Sequence, residues 1–189
     1  MASAKSNIST NAVPQSHTEA PPMITKEEVQ EAVDKAKELM LDCGLDVDIT
    51  TDDLIEWLDT ELPVPDIALR DIVVDPLLVV HELVEIDEML KMGLTLAKDV
   101  IKKNPEKVDE AHLKAAAIEM KIAHSIGAVD HIRSRIKDIE GWCANMTLSE
   151  GRRADYRRLL LTTNGYLAEL ERKEPGKQSG LWTKSLGPS

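Results

Sequence analysis

The chain has 189 residues, 42% of them hydrophobic and 30% charged, with a formal net charge of −11 at neutral pH. This balance predicts a soluble globular protein, and the acidic surface argues against non-specific binding to nucleic acid or anionic membrane, both of which need a basic face. Phe is absent and aromatics total 3%, so the core must be built from Leu, Ile, Val, Ala and Met, a set that suits packed helices better than sheets.

Residues 1–23 are rich in Ser, Thr, Asn, Ala and Pro without periodicity, which predicts a disordered tail. Thr25 with Glu28 has the spacing of a capping box, and Val29, Ala32, Val33, Ala36, Leu39 and Met40 recur at helical spacing as far as Cys43-Gly44, a first helix with a glycine stop. Thr50 or Thr51, followed by Asp52-Asp53, opens a short helix, LIEWLDTEL, that Pro63 and Pro65 end, with Trp57 placed in or near the core. PDIALRDIVV, residues 65–74, reads as one more short helical segment.

Asp75 to Gly93, DPLLVVHELVEIDEMLKMG, is the stretch around which the rest is organised. Asp75 is a good N-cap, Pro76 fits the first helical position, and Gly93 offers a stop. His81, Glu85 and Glu88 fall on one stripe of this helix, and Val79, Leu83, Ile86 and Leu90 form the opposite one. A helix apolar on both sides is normally buried, and a buried imidazole among carboxylates must be paired or hold a cation.

Residues 93–107 read as an amphipathic extension stopped near Asn104-Pro105. A single long helix is expected from about 108 to 142, with Ala115, Ile118, Ile122, Ile126, Val129, Ile132 and Ile136 on one stripe; Gly127 inside it predicts a bend or a close neighbour. Thr147 with Glu150 predicts a capping box for a last helix through about Arg172, and residues 174–189 a flexible tail. Arg152, Arg153, Arg157 and Arg158 form the one dense positive cluster, expected to be a solvated face paired with acidic groups, or else a docking patch for a phosphate or an acidic partner. No stretch has the period-2 pattern of a strand. The expected architecture is an all-α helical bundle of about five to seven helices, a single domain over 24–173 between two tails.

If helix 75–92 and helix 108–142 pack antiparallel, facing residue numbers sum to about 200 for a turn centred in the 93–107 connection, or about 209 for one at Asn104-Pro105. A middle value of about 205 sets Glu85 level with Glu119 and His81 with His124. His and carboxylates projecting inward from facing helices are how di-iron and di-manganese bundles build their sites. The expected ligands of a divalent ion, Fe, Mn or Zn, are therefore His81, Glu85, Glu119 and His124, with Glu82 and Glu88 as catalytic base or supporting groups. The pattern departs from the bundle motif, which wants Glu-x-x-His, and His81-Glu82-Leu83-Val84-Glu85 lacks the second His of the zinc-protease string H-E-x-x-H. His112, His124 and His131 each have an exposed-face explanation on the helical wheel.

Two functions fit. One is a metal-binding helical bundle, a metal-dependent hydrolase or oxidoreductase with a His/Glu site between two antiparallel helices. The other is a non-enzymatic interaction or dimerisation module around a buried structural His–carboxylate cluster, a homo-oligomer formed through a second apolar stripe, Leu113, Met120 and Ala128, of the long helix. Cys43 and Cys143 lie far apart with no C-x-x-C spacing, and no apolar run approaches a membrane span, so a reducing cytoplasm is the expected location.

Overall fold

The computed structural model describes residues 24–59 and 69–173. Within them the chain is all-α: α1 (Lys26–Asp42), α2 (Thr51–Leu58), α3 (Leu69–Val73), α4 (Pro76–Lys91), α5 (Val100–Lys103), α6 (Pro105–Ser125), α7 (Val129–Ala144) and α8 (Glu150–Lys173). The tails expected at 1–23 and 174–189, and the Pro63–Pro65 stop, lie outside the described residues. No described helix is long and apolar enough to cross a membrane.

Local chemistry sets most of these boundaries. Thr25 and Glu28 close a reciprocal capping box at the start of α1, and Thr50 and Asp53 do the same for α2, each satisfying two otherwise orphaned backbone donors. Asp75 Oδ1 accepts from Leu77 N at 2.9 Å, and Pro76 occupies the first turn of α4.

α4 is the central helix. Nine of its residues are buried, on every side of the axis, and it packs against α1, α2, α3 and α6, while α7 and α8 pair with each other and both pack against α6. α4 and α6 run antiparallel: Glu88 meets Lys114, Glu85 meets His112, and His81 meets Glu119. Those numbers sum to about 200, the value for a turn centred in the connection. The reason is that α6 starts at Pro105 itself, so Asn104-Pro105 opens a helix instead of ending one, and of the expected amphipathic extension only the single turn α5 forms.

The long helix expected over 108–142 is two helices. Gly127, at φ 72°, ends α6: its N–H bonds to His124 O (3.2 Å), and Ala128 N–H bonds to Ala123 O (2.8 Å), which is the Schellman arrangement that satisfies the last carbonyls of a helix. The expected dimerisation stripe is used internally. Met120 is buried, and Leu113 and Ala128 pack against the core. The Thr147–Glu150 capping box also gives way, since Ser149 Oγ accepts from Arg152 N (3.1 Å), Thr147 turns to Asn145, and Glu150 pairs with Arg153 and Arg157. Arg152 pairs with Asp109 and Arg158 with Asp155, so all four arginines of the cluster have carboxylate partners.

Candidate metal centre

Between α4, α6 and α7 lies a chain of hydrogen-bonded side chains that starts at the surface and ends in a cavity. Asp75 Oδ2 is 2.9 Å from His131 Nδ1, and His131 Nε2 is 2.7 Å from Glu119 Oε1. Glu119 Oε2 is 2.7 Å from His81 Nδ1, and Arg135 bonds the same carboxylate through Nε (2.7 Å) and a terminal nitrogen (3.0 Å). Glu119 is fully buried. A carboxylate only accepts, so His81 Nδ1 carries a hydrogen, and His81 Nε2 is the nitrogen turned toward the cavity.

At that nitrogen three donor atoms converge. His81 Nε2, His112 Nδ1 and Glu85 Oε2 form a triangle with edges of 3.1 Å (His81–His112), 3.2 Å (His112–Glu85) and 3.3 Å (His81–Glu85). Donors at 2.0–2.2 Å from one ion lie about 3.3 Å apart in a tetrahedron and about 3.0 Å apart in an octahedron, and the three edges fall in that range. This buried cluster can hold a metal ion. His112 is braced from behind by Trp142, ring edge to ring face with centroids 4.6 Å apart.

The electrostatics follow from burial and pairing. Burial opposes charge on His81, but bonds to Glu119 and Glu85 outweigh it and raise its pKa to about 10. Burial pushes Glu85 up, and the charge and hydrogen bonds of His112 and His81 more than reverse it, to about 2. Glu119 is likewise held far below the ordinary carboxylate range by His131, His81 and Arg135 against its own burial, and His131 rises to about 9 because Asp75 and Glu119 outweigh its desolvation. Without an ion, one proton has to sit among the three converging lone pairs.

The cavity holds about 380 Å³ and is walled by residues of α2, α3, α4, α5, α6 and α7, with Trp57 and Trp142 among its sides. Glu82 and Asp109 join the triad in lining it. Glu82 accepts a hydrogen bond from Trp57 Nε1 (2.8 Å), and burial together with the charge of Glu85 keeps its pKa raised despite His81 and that bond.

The sequence-predicted residues thus separate into groups. His81 and Glu85 share the triangle, Glu82 shares the cavity, and Glu119 stands behind His81 on its other nitrogen. His124 lies elsewhere: with facing numbers summing to about 200, its level on α4 falls a turn away from His81, and its ring stacks on Tyr166 (centroids 4.4 Å apart) with Nε2 3.3 Å from Glu169. Glu88 also lies outside the cavity, bonded to Lys91 (3.1 Å) and Lys114 (2.9 Å). The residues that sequence reasoning missed are His112 and His131. The spacing of His112 to Glu119, two turns on one stripe, is the signal that could have found the first.

Fold and site together define an all-α bundle with a buried two-histidine, one-carboxylate cluster opening on an apolar cavity. The chain matches no protein-family model, no curated protein and no solved structure.

Proposed function

We propose that this protein binds a divalent transition-metal ion through His81 Nε2, His112 Nδ1 and Glu85, and uses it with Glu82 as base to hydrolyse a small molecule held in the cavity. The observation that carries this reading is the triangle of donor edges between 3.1 and 3.3 Å on a cavity that also contains an unligated, raised-pKa carboxylate. Two imidazoles and one carboxylate are the donor set of many catalytic zinc sites, in which the remaining position is open to water or substrate. A bound ion would polarise the substrate oxygen and lower the pKa of water. Glu82 is the group placed to take the proton, and Trp57 fixes the orientation of its carboxylate. Glu119 would hold His81 in the right tautomer, the role outer carboxylates play at metal-bound histidines.

The same donor set occurs in non-haem Fe(II) oxygenases, so an oxidoreductase is the second reading, and the metal separates the two: zinc supports the first, oxygen uptake by the Fe(II) form the second. Reconstitution of the full chain with Zn²⁺, Mn²⁺ or Fe²⁺ followed by elemental analysis tests the shared premise. About one ion per chain is expected, sharply reduced in His112→Ala and Glu85→Gln and retained in Glu88→Gln. Glu82→Gln should keep the ion and slow hydrolysis of a neutral aryl ester by about 10²-fold or more. Wild-type protein that stays metal-free after reconstitution sinks the proposal.

A further inference from the structure

The cavity's chemistry also limits what can enter it. Its walls are mainly apolar, with Leu78, Ile101, Val108 and the indoles of Trp57 and Trp142 among the residues that line it. Its polar groups lie close to one another: His81, Glu85 and His112 converge, and Glu82 and Asp109 are near enough to interact with them electrostatically. Arg135, the one Lys or Arg lining it among the described residues, is committed: it bonds Glu119 twice and Asp138 at 2.8 Å, and its guanidinium lies 5.2 Å from the Trp142 ring centroid. Asp109 is taken too, by Arg152 at 2.6 Å and by the Tyr156 hydroxyl at 3.0 Å.

Charge therefore closes without the ligand. A divalent ion balances Glu82 and Glu85, Arg152 balances Asp109, and Arg135 belongs to Glu119. An anionic ligand would meet an ion whose charge Glu85 and Glu82 already balance, with no further free cation lining the cavity among the described residues, and a cationic one would meet the ion itself. In a site walled by indoles and aliphatic groups, either unbalanced charge loses its hydration without a partner.

We infer, resting on the metal-binding reading above, that the cavity's ligand is an uncharged, largely apolar molecule of about 10 to 15 non-hydrogen atoms with a single oxygen-bearing head turned toward the triad. The size follows from the 380 Å³ volume, the apolar body from the walls, and the single head from the grouping of polar side chains around the triad.

The experiment uses the zinc-loaded full chain and three probes sharing one body and differing in charge: phenylacetamide, phenylacetate and phenethylammonium. Binding is followed by calorimetry and by Trp fluorescence. Phenylacetamide should bind at least about tenfold tighter than either charged analogue, and Leu78→Trp, which fills the cavity from a half-buried position, should abolish that binding while leaving the zinc content at the wild-type level. Ile101→Trp blocks the same cavity from α5 should Leu78→Trp fail to fold. Three outcomes overturn the inference: phenylacetate binding tightest, equal affinity for all three, or phenylacetamide binding untouched by both cavity-filling variants. Failure to load zinc is a different result, which overturns the metal reading and this inference with it; a loaded protein with the wrong charge preference removes only the inference.

Discussion

Glu119→Gln is the substitution that most directly tests how the site is held together. The carboxylate accepts four hydrogen bonds, two from Arg135 and one each from His81 and His131, in full burial. Gln has nearly the same volume, so no cavity forms and the effect isolates charge and hydrogen bonding. Its carbonyl oxygen can keep one side of the network, but its NH₂ would face donors on the other side, so about two bonds to charged groups are lost at about 1.5–3 kcal/mol each. Arg135 would remain largely buried with only the more exposed Asp138 as partner, and stranding one member of a buried ion pair costs about 3–5 kcal/mol. The two routes agree on a loss of roughly 3–6 kcal/mol, seen in urea as a lower midpoint with an unchanged slope, and as a drop in Tm of about 2–4 °C per kcal/mol. Adding Arg135→Met should recover part of the loss, because the stranded charge goes with it. A loss under about 1 kcal/mol, the range of exposed pairs, would refute the claim that Glu119 anchors the cluster.

Uptake of zinc near pH 8 should release about one proton per ion, because His81, raised to about 10, is protonated there until the ion displaces its proton; calorimetry in buffers of different ionisation enthalpy reads the number, and zero release contradicts the shared-site assignment. Metal-free protein should be most stable between about pH 4.5 and 6.5. His81 and His131, at about 10 and about 9, contribute stability that is complete below their unfolded value and fades as pH rises through the folded ones, whereas Glu119, lowered, contributes above its unfolded value and fades as pH falls; a urea midpoint that rises from pH 7 to pH 10 would contradict these signs. Gly127→Ala should cost about 1 kcal/mol, all of it backbone strain from φ 72°, since an added Cβ meets nothing within 4 Å. Chelator should lower the Tm of zinc-loaded protein while leaving its far-ultraviolet helical signal intact, because the protein-bound proton can replace the ion.

Much of the bundle was legible because its signals are local. The caps at Thr25 and Asp75, the stops at Gly44 and Gly93, and the two-sided apolar pattern of α4 are decided within one or two turns of chain. The break at Gly127 was harder, because the Ile stripe continues through it: Ile122 and Ile132 are both buried although they belong to different helices. That break carries His131 back over the N-terminus of α4, where it bonds Asp75 and Glu119, and no wheel drawn through an unbroken helix puts it there. The site depended on register as well. An alignment error of about a turn and a half between α4 and α6 is enough to exchange Glu119 for His124 opposite His81, and that register is set by where α6 begins, at a proline that reads equally well as a stop.

The position of Glu119 also separates two jobs that the sequence could not distinguish. A glutamate inside the triangle, as Glu85 is, has to exchange partners between the two imidazoles and an ion. Placed behind His81, with Arg135 and His131 as permanent partners, Glu119 is satisfied whether or not a metal is present. Only the three lone pairs facing the cavity then change partner when an ion exchanges with a proton, and those sit on side chains already held by Glu119, Trp142 and the buried stripe of α4. The cluster is therefore preorganised: binding of an ion would require loss of a proton and little movement, which would favour affinity and fix the direction in which the open coordination positions face. That direction is the apolar cavity with Glu82 on its edge, which under the proposed function would favour a reaction site over a structural rivet, because a rivet would close its fourth position with protein.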